Sequence, residues 1–164
     1  MSETFKVRVD GIKFDSAHFE TFGGETEPLH GHSYFVAAEV EGQLNRDALV
    51  LDFGVLKTIL RALCKELDHR FLLQKDSRHL EIEAADTSWK IKTPSGLGYV
   101  FPMQDVVALP LDNSSAERLS EWMGARLWQA LEERGVNNLR AITLEVYEGP
   151  GQRASHRTER PRPE

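Results

Sequence analysis

The chain is poor in cysteine, in positive charge and in long apolar runs, and each shortage excludes something. Its one cysteine, Cys64, rules out an intrachain disulfide and fits a reducing compartment. A formal net charge of -6 argues against non-specific nucleic-acid binding, which needs a positive footprint, although a small anionic ligand could still find a local basic pocket. No apolar stretch is long enough to cross a bilayer and the start, Met1-Ser2-Glu3-Thr4, is polar, so the expectation is a soluble cytoplasmic protein with no membrane partner. What the 164 residues do have is 40% hydrophobic content, enough for one sizeable core and short for two.

Hydrophobic periodicity outlines an α+β domain over residues 1–150. Phe5, Val7 and Val9 alternate, Asp10-Gly11 interrupts, and Ile12, Phe14, Ser16 and His18 resume, which predicts two strand pieces joined by a turn or bulge. The stretch 21–28 carries two glycines and a proline and reads as a loop. His30, His32, Tyr34, Val36, Ala38 and Val40 then share one face of a strand that Gly42 closes. Val55, Leu56, Ile59, Leu60, Leu63 and Leu67 have helical spacing, with an end expected near Asp68-His69-Arg70. Cys64 falls inside that apolar pattern and reads as a small core residue.

Residues 73–110 read as an extended β-rich insertion, with short strands near 81–83, 89–92 and 99–101 and a turn at Thr93-Pro94-Ser95-Gly96. A second helix starts after Asn113, with Ser114 and Glu117 as a capping box, and stops at Gly135. The last strand is 139–148. There Glu148 follows Ile142, Leu144 and Val146 on one face, so its carboxylate needs either an internal cation or a fork of N–H donors. The tail 151–164 is rich in arginine and proline, and its last ten residues are expected to be loose.

His30 and His32, separated by one glycine, point the same way on a strand, and His18 ends a neighbouring one. Three imidazoles meeting there would leave a metal with an open position, which favours catalysis over a closed structural site. Neutral imidazoles without a thiolate suit zinc, with iron, nickel or copper also admissible. Glu25 and Glu27, in the preceding loop, are candidate bases beside such an ion, and Asp68 with His69 is a second acid/base candidate.

The segments Phe14-Asp15-Ser16-Ala17-His18-Phe19, Leu29-His30-Gly31-His32-Ser33-Tyr34, Asp52-Phe53-Gly54, Leu67-Asp68-His69-Arg70, Asn113-Ser114-Ser115-Ala116-Glu117 and Val146-Tyr147-Glu148 resemble, in this order, the 6-pyruvoyltetrahydropterin synthase and 6-carboxytetrahydropterin synthase family. The resemblance implies the tunnelling fold: a four-stranded antiparallel sheet with two helices on one face, assembled as trimers that pair into a hexamer. It implies zinc on His18, His30 and His32, a pterin ring anchored by Glu148, and Asn113, Ser114 and Ser115 along the ring edge. It also implies Asp68 and His69 as a proton-transfer pair supplied by a neighbouring subunit.

Members making pyruvoyl or carboxy products carry a catalytic cysteine before the His-Gly-His, and this chain has none there. Glu27, three positions before His30, matches instead a glutamate-type subgroup. For it the expected reaction is cleavage of the side chain of 7,8-dihydroneopterin triphosphate to 6-hydroxymethyl-7,8-dihydropterin, with Arg153 and Arg157 as candidates for the phosphates. The alternatives are 6-carboxy- or 6-pyruvoyltetrahydropterin synthesis, a non-catalytic pterin-binding protein, or a metal hydrolase acting on other substrates.

Overall fold

In the computed structural model, residues 3–160 are described. β1 (Phe5–His18) and β4 (His30–Gly42) pair antiparallel along their whole length, with a bulge between Val9 and Ile12 where Gly11 takes a φ of 72°. The two predicted strand pieces are therefore one strand. Between β1 and β4, the stretch expected to be a plain loop forms a miniature hairpin, β2 (Thr21–Phe22) and β3 (Glu25–Thr26). Its turn, Gly23-Gly24, has φ of 59° and 81°, which glycine adopts without steric cost.

The helices are α1 (Phe53–Leu67) and α2 (Ala116–Glu133). Asp52 caps α1 by accepting from the Val55 N–H at 3.1 Å. At α2 the cap is Ser115, which accepts from Arg118 N–H, rather than the predicted Ser114. Ser114 is fully buried and spends its hydroxyl on the Phe19 carbonyl, so it has none to offer the helix. Gly135, at φ 75°, ends α2 with Val136 N–H bonded to Leu131 and its own N–H to Glu132, a Schellman closure.

The main sheet runs β11-β10-β4-β1-β5-β9, where β5 is Arg70–Gln74, β9 is Val106–Leu109, β10 is Leu139–Gly149 and β11 is Gln152–Glu159. Its first four strands are antiparallel, and α1 and α2 share one core with their inner face. β5 and β9 add parallel pairings that extend the expected four strands to six. The tail also differs from expectation. Residues 152–159 form β11, held by a full ladder to β10, while Ala154, His156 and Thr158 turn their partly buried sides to the protein. The rest of the tail expected to be loose, 161–164, lies outside the described residues.

The insertion forms a separate three-stranded sheet, β6 (Glu81–Ala84), β7 (Ser88–Lys92) and β8 (Gly98–Pro102), followed by a short 3₁₀ turn into β9. The turn at Thr93–Gly96 is where the sequence places it, closed by Gly96 N–H on the Thr93 carbonyl. Cys64 is buried on α1, and burial pushes its thiol up to about 12. No helix among the described residues is long and apolar enough to cross a membrane.

Candidate active site

The inner face of the sheet is apolar over most of its length and becomes polar at one end. β1 and β4 end there with His18 opposite His30 and Ser16 opposite His32, and from the bulge onward β1, like β4, turns its even-numbered residues inward. Gly31 permits the close approach, because a Cβ at that position would sit 3.2 Å from the Ser16 carbonyl oxygen. The three imidazoles thus converge, with ring centroids 4.7 to 5.1 Å apart.

The hydrogen bonds set their tautomers. His18 Nδ1 donates to the Ser114 carbonyl at 3.0 Å and His30 Nδ1 to the Pro28 carbonyl at 2.8 Å, because a carbonyl can only accept. Each therefore presents an unprotonated Nε2 to the centre when neutral. His18 Nε2 is buried with no hydrogen-bond partner, and His30 Nε2 lies 2.9 Å from His32 Nε2. Burial pushes the His18 pKa down to about 4, so its lone pair is free at neutral pH. An orphaned imidazole nitrogen beside two others, with ring orientation fixed from behind by carbonyls, fits a metal ion.

Carboxylates surround this centre. Glu27 Oε1 lies 3.7 Å from His30 Nε2 and 4.0 Å from His18 Nε2, and it accepts the Glu20 backbone N–H at 2.8 Å. Glu25, by contrast, is exposed on β3. Glu148 Oε1 stands 4.0 Å from His18 Nε2 on the β10 side, buried and without a hydrogen-bond partner. No lysine or arginine among the described residues pairs with Glu148. Its neighbour is Glu20, whose pKa rises to about 7, first through burial and then through the Glu148 charge. Tyr34, fully buried across the strand pair from Phe14, has a hydroxyl with no partner, and burial raises its pKa.

A cleft of about 250 Å³ opens beside Glu148 and is lined also by Glu20, by Glu117 on the first turn of α2, and by Arg153. From the sequence alone Glu20 has no role and Glu117 only a place in a helix cap. Folding sets Glu20 beside His18 and Glu148, and the start of α2 brings Glu117 to the same cleft. Arg153 reaches Glu145 at 3.3 Å and the Tyr147 hydroxyl at 3.0 Å, whereas Arg157 is tied to Glu41 and Glu159.

Asn113 and the two serines serve the frame of the site. Asn113 Oδ1 accepts from Thr21 N–H and Ser114 N–H, and its amide donates to the Thr21 carbonyl. Ser115 caps α2, and the Ser114 carbonyl orients His18.

Asp68 and His69 form a second cluster with Asp15, beyond ligand-to-ligand distance of the full histidine trio. Asp68 Oδ1 accepts the Asp15 N–H at 2.8 Å and Oδ2 meets His69 Nδ1 at 2.9 Å, so the Asp68 pKa is lowered, chiefly by the Asp15 N–H. His69 takes a φ of 56°, braced by its N–H on the Asp15 carbonyl, and its side chain is 79% exposed. It borders a cleft of about 600 Å³ that His32 of the trio also lines, with Ser33, Arg70, Phe71 and Phe101.

The sequence profile described as 6-pyruvoyl tetrahydropterin synthase matches residues 7–159. The chain belongs to this family. A protein of Methanocaldococcus jannaschii described as a putative 6-carboxy-5,6,7,8-tetrahydropterin synthase is 34% identical over 149 residues, covering 90% of each chain. A dihydroneopterin monophosphate aldolase of Pyrococcus furiosus is 42% identical over a shorter stretch of 59 residues, 36% of this chain and 50% of that one.

The crystal structure of 6-pyruvoyl tetrahydropterin synthase from Plasmodium vivax superposes with a TM-score of 0.91 at 30% identity, covering 96% of this chain and 99% of that one. The P. vivax enzyme has also been solved with a glutamate described as its catalytic residue replaced by alanine and by cysteine. Membership of the 6-pyruvoyl tetrahydropterin synthase family accounts for the α+β architecture and places the chain in pterin metabolism.

Proposed function

We propose that the protein is a zinc-dependent pterin lyase that cleaves the side chain of 7,8-dihydroneopterin triphosphate to 6-hydroxymethyl-7,8-dihydropterin. The observation that carries this reading is Glu27 Oε1 facing the Nε2 atoms of His18 and His30 from a loop that holds no thiol. Cys64 is buried on α1 and does not supply one. The catalytic glutamate of the P. vivax relative supports a carboxylate in this role, and the P. furiosus aldolase supports carbon–carbon cleavage.

His18, His30 and His32 would hold the metal, which supplies Lewis-acid polarisation of side-chain oxygens when bound. The pterin's 2-amino and ring N–H fork meets the cleft between β10 and α2, with Glu148 on one wall and Glu117 on the other. Asn113, Ser114 and Ser115 support this cleft from behind, their polar groups being bonded to Thr21, Phe19 and the start of α2. Glu27 then takes the proton of the hydroxyl on the second side-chain carbon. The bond between the first and second carbons breaks, leaving an aldehyde on the departing fragment, and its electron pair passes to the carbon that remains on the pterin.

That carbon needs a proton in turn. His69, oriented by Asp68, supplies it, from a neighbouring subunit of a homohexamer built as a dimer of trimers as the family resemblance implies. Incubating the purified protein with the triphosphate and identifying products by mass tests the reading. A 6-carboxy or 6-pyruvoyl product, as the names of several relatives would have it, contradicts it.

A further inference from the structure

The insertion builds most of a second hydrophobic cluster, apart from the one between sheet and helices. Phe19, Phe71, Leu73, Leu80, Ile91 and Val106 are buried in it, with Tyr99 and Phe101 packed against them. Four rings form its centre. Phe19 lies 5.2 Å from Phe71 and 5.3 Å from Tyr99, Phe101 stacks on Phe71 at 4.4 Å, and the Tyr99 and Phe101 rings are nearly parallel at 5.9 Å. The opposite face of the insertion is solvated, with Lys90 paired to Glu83 and Lys92 to Glu81. Its one buried face is therefore spent on Phe19 and Phe71.

Phe19 sits between His18 and Glu20, and its surroundings connect it to both. Its carbonyl accepts from Gln74 Nε2 and from Ser114 Oγ, each at 3.1 Å, and all three residues are fully buried. Ser114 in turn accepts His18 Nδ1 on its own carbonyl. On the other side, Glu20 N–H holds Glu27 Oε1 at 2.8 Å. A shift of Phe19 would therefore move both the buried imidazole and the carboxylate that faces it. Packed interiors transmit such shifts because they contain little free volume.

We infer that the insertion is a positioning device for the site: Tyr99 and Phe101, acting through Phe19, hold His18 and Glu27 in register. The inference rests on the histidine trio being a metal site and needs no assumption about which pterin product forms. Tyr99 touches Phe19 and lies outside the cleft shared by His32 and His69, so it is a positioning residue and Tyr99→Leu is the decisive variant; Phe101 stacks on Phe71 and also borders that cleft.

The test uses the full chain loaded with cobalt(II), reading the visible absorption of the metal and its dissociation constant against a competing chelator. Tyr99→Leu and Phe101→Leu should each weaken metal binding about tenfold or more, the usual scale for groups that orient metal ligands, and should alter the cobalt spectrum. Leu127→Ala, a cavity in the other core, should lower Tm while leaving spectrum and affinity unchanged. The inference is overturned if Tyr99→Leu folds, loses Tm as Leu127→Ala does, and binds cobalt like wild type. It is also overturned if all three variants perturb the metal alike. A changed cobalt signature in Tyr99→Leu that Leu127→Ala lacks upholds it even in a protein that turns over no pterin.

Discussion

At the scale of single residues the account depends on Glu27. Its carboxylate faces two imidazoles and is held by the Glu20 N–H, so it is oriented as well as close. Glu27→Ala should lower kcat by about 10²-fold or more, as expected for loss of a general base, with little change in KM. A kcat equal to wild type would remove Glu27 from the mechanism. Glu148 and Glu117 predict the opposite split. Glu148→Gln or Glu117→Gln trades a charge-assisted fork for a neutral contact and should raise KM about tenfold, checked by steady-state kinetics and by direct pterin binding.

The convergence of His30 and His32 was legible in the sequence because one-residue spacing on a strand turns two imidazoles the same way. In the preceding loop Glu25 and Glu27 read alike, and only the family resemblance singles out Glu27. Glu20 was not legible, since its importance comes from lying beside Glu148, which belongs to a strand more than a hundred residues later. The frame-holding work of Ser114 was likewise invisible, because a serine before a helix reads first as a cap.

At the scale of elements, the long strands and both helices could be read from their periodicity, whereas the short parallel strands could not. Phe71 to Gln74 are buried in an unbroken run, which lacks the alternation that marks a half-exposed strand. β11 was hidden by its composition. Its arginines are accommodated by ion pairs across the outer face of the sheet, Arg157 with Glu41 and Arg153 with Glu145.

The same outer face makes a pH prediction. Arg8 binds Glu145 at 3.0 and 2.7 Å, and Tyr147 donates to it at 2.7 Å, joining β1 to β10. The Arg8 hydrogen bond above all holds the Glu145 pKa down to about 2 from 4.5. A carboxylate depressed on folding stabilises the protein above its unfolded pKa and loses that contribution as pH falls through its folded value. The stability gap between wild type and Glu145→Gln should therefore narrow between pH 4.5 and about 2. Urea denaturation of both proteins across that range checks it, and a gap independent of pH would contradict the assignment.

At the scale of the whole molecule, the two halves of the proposed proton chemistry form separate ligand-distance groups in one chain, although His32 and His69 line one cleft. The trio and Glu27 lie at the inner end of the sheet, while His69 stands exposed with Asp68 and Asp15. Mixed oligomers reassembled from Glu27→Ala and His69→Ala chains should recover activity that neither variant has alone, because some interfaces then pair an intact Glu27 with an intact His69. No recovery in mixtures shown to co-assemble would place both groups in one chain.

The most direct measurement is product identification. The purified protein is incubated with 7,8-dihydroneopterin triphosphate, with and without a chelator, and the pterins are resolved by mass. The account predicts 6-hydroxymethyl-7,8-dihydropterin, lost on chelation and restored by zinc. A pyruvoyl or carboxy product from the wild-type protein, or cleavage indifferent to the chelator, would contradict it.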